Sequence, residues 1–201
     1  MSEPRPVGLL GGSFNPPHLG HLVIASDACA ALGLEEMVFL PAAAPPHKEI
    51  ADDVPADVRL EMTRLAVGDD ERFRVSSVEI DLGLRFTVDT LAELRRRHAG
   101  APLVFVAGSD MLLRFETWHE PAAILELAVL AVAPRSGDDR QAILRAAARW
   151  GAGKVVVLPS AMVDVSSTMI RERVRSGRPI RYLVPPAVER FVAAQRLYLP
   201  S

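Results

Sequence analysis

Two histidines, three residues apart, follow a loop of glycines and prolines near the start of the chain. The stretch GGSFNPPHLGHL runs from Gly11 to Leu22 and contains His18 and His21. Its glycines let the main chain approach a ligand with no Cβ in the way. A helix that starts there offers free amides and the positive end of its dipole, which favour a phosphate. Since residues at i and i+3 share a helix face, the stretch predicts a site that aims two imidazoles at one anion.

Other kinds of site fit this stretch less well. It lacks the G-x-x-x-x-G-K-[ST] pattern of a P-loop. It also lacks the third glycine of G-x-G-x-x-G, which argues against a dinucleotide cofactor. A zinc site needs further ligands, but Cys29 is the single cysteine and there is no H-E-x-x-H. We expect Cys29, in an apolar stretch, to lie in the core. A turn with histidines at a helix start explains the histidines alone, but not all twelve residues.

The composition narrows the class of protein. A chain of 201 residues, 49% hydrophobic, suits one domain over 1–201 whose core needs no disulfide or metal. With 23 Lys and Arg against 25 Asp and Glu, the formal net charge of -2 provides no overall field for nucleic acid or an anionic membrane. No segment approaches the roughly 18 apolar residues of a membrane span. We expect a cytoplasmic protein, monomeric or a small homo-oligomer, without nucleic-acid or membrane partners.

Short apolar runs alternate with segments of helical periodicity. Five runs are typical of buried strands: Val7–Leu10, Met37–Leu40, Leu103–Val106, Ala128–Val132 and Val155–Leu158. Four helical segments lie at 22–32, 58–66, 88–94 and 143–147, and two more at Ser167–Ser176 and Pro186–Tyr198. This alternation predicts an α/β fold, a doubly wound and mostly parallel sheet with helices on both faces, with a C-terminal helical part over about 167–201. We expect Pro41–Asp53 to be a mobile loop.

A second phosphate-binding segment is indicated after the last predicted strand. Ser166, Ser167 and Thr168 stand at the start of a predicted helix, where hydroxyls and amides can bind phosphate. Arg171, one turn further on, adds a guanidinium suited to phosphate oxygens. An ordinary helix cap is the alternative interpretation of this segment.

Two residue types suited to a nucleoside follow the strand at Leu103–Val106. Gly108 permits close approach of a ligand, and Asp110 could accept hydrogen bonds from ribose hydroxyls or cap a helix. Trp118 could stack on a planar ring or lie in the core. In parallel sheets of this kind, ligands bind at the carboxyl ends of the strands, so these residues are expected at the same edge as the histidines.

The stretch Gly11–Leu22 closely resembles the signature of the nucleotidyltransferase superfamily with an H-x-G-H motif, and within it the bacterial nicotinate-mononucleotide adenylyltransferases. Six further matches follow in order: PPHK at 45–48, RFTVDTL at 85–91, GSDMLLRFETW at 108–118, APR at 133–135, VSSTMIRERV at 165–174 and YLVP at 182–185. The resemblance spans nearly the whole chain. It departs at Phe86, where a tyrosine is usual, which removes one hydroxyl.

The resemblance implies transfer of AMP from ATP to nicotinate mononucleotide, with Mg²⁺ bridging phosphate oxygens and no dedicated metal site in the protein. It implies His18, His21 and Arg171 as catalytic residues. The residues that it implies for ATP are Gly11, Gly12, Ser13, Phe14, Gly108, Asp110, Ser166, Ser167 and Thr168. Those for the mononucleotide are Lys48, Thr87, Trp118 and Arg135. Trp118 would stack on the nicotinate ring, and the amides at the helix start near Thr87 would receive its carboxylate.

Two other functions stay open from the sequence. One is a related adenylyltransferase that acts on nicotinamide mononucleotide or phosphopantetheine, which would differ in the acceptor pocket and not in the ATP site. The other is a nucleotide-binding regulatory module without catalysis. The segments around Thr87 and Trp118 favour the nicotinate enzyme, and the presence of His18, His21 and Arg171 favours catalysis.

Overall fold

The strands form one parallel sheet. The computed structural model describes residues 4–43, 54–98, 100–161 and 163–200. The strands are β1 (Val7–Gly12), β2 (Glu36–Pro41), β3 (Phe73–Val75), β4 (Leu103–Gly108), β5 (Ala128–Ala133) and β6 (Val155–Val157). Their order in the sheet is β3-β2-β1-β4-β5-β6, and every neighbouring pair is parallel. The order reverses between β1 and β4, which places a ligand crevice at the carboxyl ends of these two strands.

Helices connect the strands, as parallel pairing requires. They are α1 (Leu19–Leu32), α2 (Ala56–Val67), α3 (Val78–Leu82), α4 (Thr87–Arg97), α5 (Ser109–Leu112), α6 (Pro121–Leu127), α7 (Arg140–Ala148), α8 (Ser167–Arg175) and α9 (Pro186–Ala194), with a 3₁₀ turn at Phe115–Thr117. No helix in the described part of the chain is both long and apolar enough to cross a membrane.

The two faces of the sheet are buried in separate hydrophobic clusters. Leu9 points to the cluster that includes residues of α4, α6 and α7, and its neighbour Leu10 points to the cluster that includes Ala25, Ala28 and Cys29 of α1. This alternation follows from the two-residue period of a strand. A third cluster joins α2, α8 and α9. The helices at the C-terminal end of the chain therefore pack on α2.

The predicted doubly wound parallel fold is confirmed, as is the burial of Cys29. Two details of the prediction were wrong. The run at 155–158 is not a strand buried on both faces, because β6 lies at the edge of the sheet and its three residues are half-buried. Pro41 is not part of a loop but ends β2, where it pairs with Gly12. Most of the predicted mobile loop, residues 44–53, lies outside the described residues.

Candidate active site

The loop between β1 and α1 is closely packed against its own neighbours. A Cβ on Gly11 would lie 3.1 Å from the ring of Phe105, and one on Gly12 would lie 3.2 Å from the ring of Phe14. Phe14 has φ 47, in the left-handed region that non-glycine residues seldom adopt. Its buried ring contacts His21 edge-on, with ring centroids 5.0 Å apart. This packing offsets a backbone strain of about 1–2 kcal/mol.

The structure brings the two histidines together at the start of α1. His18 is the N-cap residue, and its ring centroid lies 3.7 Å from that of His21. The main-chain N–H of His18 donates to Nδ1 of His21 at 3.2 Å. Because that nitrogen accepts, the proton of the His21 ring lies on Nε2. Nδ1 of His18 is buried with no hydrogen-bond partner in the described part of the chain.

Both imidazoles are neutral at physiological pH. Burial lowers the pKa of His18 to about 4, and the positive charge of Arg135 adds to the effect. Burial likewise lowers the pKa of His21 well below its usual range, with smaller contributions from His18 and Arg135. A neutral imidazole has one N–H to donate. The pair can therefore donate hydrogen bonds to an anion without carrying charge.

One amide at the start of α1 is already bonded within the protein. The helix begins at Leu19, whose N–H donates to the carbonyl of Leu183 at 3.0 Å. A Cβ on Gly20 would lie 3.0 Å from Nδ1 of His18 and 3.6 Å from the carbonyl of Val165. The segment before α8 therefore lies against the first turn of α1.

The hydroxyls at the start of α8 have separate roles. Ser166 is the N-cap of α8, and its hydroxyl accepts from the amide of Met169 at 3.2 Å. The alternative of an ordinary cap thus holds for Ser166. The hydroxyl of Ser167 instead donates to the carbonyl of Pro16 in the loop after β1, at 2.8 Å. This bond joins the two predicted phosphate-binding segments.

Arg171 makes a second link between the same segments. Its Nη1 donates to the carbonyl of Asn15 at 2.8 Å, and its Nη2 lies 3.3 Å from the hydroxyl of Thr168. Arg171 therefore contacts the same loop that leads to the histidine pair. The structure thus brings together the residues predicted from two motifs more than 140 positions apart.

Two residues that the sequence analysis did not identify also hold this loop. The hydroxyl of Tyr198 donates to Oδ1 of Asn15 at 2.6 Å. Nη1 of Arg59 donates to the carbonyl of Ser13 at 2.9 Å. A signal for Arg59 was present, because an arginine stands three residues before Met62 on the apolar face of a predicted helix. Nothing local marks Tyr198.

The carboxyl ends of β4 and β5 contribute an ion pair. Nη2 of Arg135 lies 3.1 Å from Oδ1 of Asp110. A Cβ on Gly108 would lie 2.6 Å from Asp110 and 3.2 Å from Arg135, so only glycine fits between them without a shift. Gly108 is the N-cap of α5, and the alternative that Asp110 caps a helix is wrong. The positive charge of Arg135 also contributes to the lowered pKa of both histidines, so the ends of β1, β4 and β5 lie close together.

Trp118 is half-buried at the edge of the sheet core. Its ring meets those of Phe105 and Phe115 edge-on, with centroids 6.0 and 5.2 Å away. The indole packs against the core, as the alternative interpretation of this residue expected, and the side chain stays partly accessible. The next residue along the chain, His119, carries a second aromatic ring.

Thr87 is the first residue of α4, as predicted. The preceding Phe86 is 46% exposed and stacks on the ring of His119, with centroids 4.3 Å apart and an interplanar angle of 31°. His119 was not a candidate in the sequence analysis. Lys48, the remaining predicted mononucleotide residue, lies outside the described residues.

Comparison with known proteins shows which family the chain resembles. Residues 9–173 match the model of the cytidylyltransferase-like family. The chain is 39% identical to the probable nicotinate-nucleotide adenylyltransferase of Geobacter metallireducens, over 95% of this chain and 97% of that protein. It is 40% identical to the protein of the same name from Trichlorobacter lovleyi, over 96% and 99%.

Solved structures share the fold. The nicotinic acid mononucleotide adenylyltransferase of Plasmodium falciparum, complexed with NaAD, aligns with a TM-score of 0.78 at 16% identity, over 96% of this chain and 97% of that one. The same enzyme complexed with APC aligns with a TM-score of 0.77. At such low identity these two structures support the fold alone. Together with the sequence relatives, the family match shows that this chain belongs to the cytidylyltransferase-like family and, within it, to the nicotinate-nucleotide adenylyltransferases.

Proposed function

We propose that this protein transfers the AMP moiety of ATP to nicotinate mononucleotide, forming nicotinate adenine dinucleotide and pyrophosphate. Its sequence relatives carry the name of this activity. The observation that supports it best in the structure is the meeting of the histidine pair with Arg135 and with the start of α8, at the carboxyl edge of the sheet. We place the triphosphate of ATP between these groups.

The chemistry in this proposal needs no general base. A phosphate monoester has a second pKa of about 6, so the mononucleotide attacks as a dianion. One of its phosphate oxygens forms a bond to the α-phosphorus of ATP, and the bond between that phosphorus and the bridging oxygen breaks to release pyrophosphate. Positioning and charge stabilisation then provide the rate enhancement. Neutral His18 and His21 suit this task, because each donates an N–H and neither is needed as a base.

We assign the β- and γ-phosphates to the start of α8. Ser167 and Thr168 provide hydroxyls and amides there, and Arg171 adds a positive charge fixed beside them by its bond to Asn15. No group of three or more His, Cys, Asp or Glu in the described ranges could hold a metal ion. We therefore propose that Mg²⁺ is bound by the phosphates of ATP, where it neutralises charge on the leaving pyrophosphate.

Gly108 and Asp110 are proposed to contact the adenosine ribose. Asp110 would then exchange or share its bond with Arg135 when ATP binds, since the two side chains are paired at 3.1 Å in the structure. The glycines at 11 and 12, with Ser13 and Phe14, are proposed to line the phosphates by their main chain.

The acceptor is proposed to lie between Trp118 and the start of α4. The exposed part of the indole would stack on the nicotinate ring, and the amides near Thr87 would receive its carboxylate. Arg135 and Lys48 are proposed for the phosphate of the mononucleotide. An amide in place of the carboxylate has no net charge to offer the helix dipole, so we expect preference for the acid.

We further propose that the chain is a single cytoplasmic domain.

The test is pyrophosphate release with ATP and Mg²⁺, comparing nicotinate mononucleotide with nicotinamide mononucleotide at matched concentrations. Strong preference for the acid, with nicotinate adenine dinucleotide identified by mass, is the expected result. Equal or reversed rates would contradict the carboxylate site near Thr87. No release with either acceptor would contradict the proposed reaction, and a parallel assay with phosphopantetheine would then identify the acceptor class.

A further inference from the structure

Arg59 is a buried arginine that contacts the loop between β1 and α1, to which we assign the phosphates of ATP. Only 1% of its surface is exposed. Its guanidinium donates to main-chain carbonyls of three segments: to Ser13 at 2.9 Å, to Ala42 at 2.7 Å and Ala43 at 3.3 Å, and to Val54 at 3.2 Å. A buried guanidinium with several directed bonds holds its acceptors in a fixed arrangement. Ser13 belongs to the loop to which we assign ATP.

The bond to Ser13 orients one peptide plane. The peptide between Ser13 and Phe14 is trans, so its C=O and N–H point in opposite directions. With the carbonyl turned to Arg59, the N–H of Phe14 points away from Arg59. That N–H has no hydrogen-bond acceptor within the ranges that the structure describes. An amide that is oriented and unbonded in this way is suited to donate to a phosphate oxygen.

Phe14 itself prevents this peptide from turning back. Its φ of 47 sets the direction of the chain after the peptide. The ring is buried between His21 and Phe39, with centroids 5.0 and 5.8 Å away. The peptide is therefore held on one side by a guanidinium and on the other by a packed ring.

We propose that Arg59 is a positioning residue for ATP, which directs the amide of Phe14 at a phosphate oxygen by holding the carbonyl of Ser13. The inference rests on the proposed function, because it assumes that ATP binds at this loop. Lysine at the same position keeps the charge, but a single ammonium cannot reach acceptors in three segments at once. Arg59→Lys therefore frees the peptide while keeping a cation in place.

The direct test observes this one peptide by NMR. The sequence has seven phenylalanines, and Phe14 alone follows a serine. A sample with ¹³C′-serine and ¹⁵N-phenylalanine therefore has a single HNCO peak, which reports the Ser13 carbonyl and the Phe14 amide. In the wild-type protein, ATP or inorganic tripolyphosphate is expected to shift the amide proton downfield. In Arg59→Lys, the carbonyl shift of the free protein should change, and the response of the amide to ATP should fall by at least half.

Thr63→Val is the matched control. The hydroxyl of Thr63 donates to the carbonyl of Arg59 at 2.7 Å, so this variant disturbs the same turn of α2 and leaves the guanidinium intact. Losing a hydrogen bond to a charged ligand corresponds to roughly 10- to 100-fold in affinity. We expect that rise in the KM for ATP in Arg59→Lys, a much smaller rise in the KM for nicotinate mononucleotide, and no change in either for Thr63→Val.

The inference is overturned if the wild-type Phe14 amide does not respond to ATP, or if folded Arg59→Lys has the wild-type KM for ATP. If Arg59→Lys does not fold, the inference is still overturned when the wild-type Phe14 amide does not respond to ATP. The proposed function fails independently: an amide whose response to ATP is reduced in Arg59→Lys, in a protein with no turnover, supports the role of Arg59 and contradicts the reaction. Turnover in a protein whose Phe14 amide does not respond to ATP supports the reaction and contradicts the role of Arg59.

Discussion

Replacing His18 by asparagine separates the structural role of this residue from its proposed role in catalysis. His18 is the N-cap of α1, is 7% exposed, and has an Nδ1 without a partner within the described ranges. Asparagine is among the best N-cap residues, worth about 1 kcal/mol over a poor cap. An asparagine oxygen at this position can also accept from a free amide of the first turn, whereas Nδ1 of His18 has no partner within the described ranges. These gains offset the loss of the ring contact with His21 at 3.7 Å.

The free energy of unfolding of His18→Asn should therefore stay within about 1 kcal/mol of the wild-type value. For a chain of 201 residues this corresponds to a change in Tm of roughly 2–4 °C. Catalysis should respond very differently. The shorter asparagine side chain cannot reach the position from which the imidazole donates, and loss of one such donor lowers kcat by about 100- to 1000-fold.

The assay is pyrophosphate release, with thermal melts followed by circular dichroism. His98→Asn serves as the control. His98 is the C-cap residue of α4 and lies 3.9 Å from Glu36, at the amino edge of the sheet and away from the proposed site. It should keep wild-type activity. Because burial lowers the pKa of His18 to about 4, wild-type kcat should show no ionisation of this group between about pH 6 and 8. A folded His18→Asn with kcat within about fivefold of wild type, or an inflection near 6.5 that the substitution removes, would refute the reasoning.

Two further predictions concern stability. Burial raises the pKa of Glu79 to about 7, against the hydrogen bond from Thr90. The folded protein thus holds a proton that the unfolded chain releases near pH 4.5, so this group's contribution falls as pH rises from about 4.5 to 7. Glu79→Gln removes that loss of stability, which is about 3 kcal/mol at most. The Tm of the variant relative to wild type should therefore be higher at pH 8 than at pH 5. The same Tm difference at both pH values would contradict this. Tyr198→Phe removes the buried 2.6 Å bond to Asn15 and should lower the free energy of unfolding by about 1–2 kcal/mol, as measured in denaturant. Tyr182→Phe, at a position 80% exposed, should leave it unchanged, and similar losses in both would count against the role of the buried hydroxyl.

Several features were predictable because they depend on neighbours along the chain. Four of the five predicted strands are continuous apolar runs buried on both faces. In the helical segments between them, apolar residues recur every three to four positions. The loop after β1 is recognisable from its glycines and histidines. Cys29 lies in a helix that faces the sheet, as its apolar surroundings indicated.

Elements with weak local patterns were missed. β3 has three residues and exposes Arg74 at its centre, so no apolar run marks it. α6 is seven residues long and begins at Pro121, which is too short for a clear period. The half-exposed state of β6 depends on its place in the sheet order, which periodicity does not encode.

The sequence by itself determined the fold class and the family, and it predicted the phosphate-binding motifs, because periodicity, turn residues and motif spacing are local properties of the chain. Only the tertiary structure decided how the loop between β1 and α1 is held. Its partners stand 46, 156 and 183 residues away, at Arg59, Arg171 and Tyr198. It also decided that Asp110 pairs with Arg135 and that both histidines are neutral. Such contacts, and the burial that lowers a pKa, arise only when distant segments pack together, and no pattern of neighbouring residues specifies them.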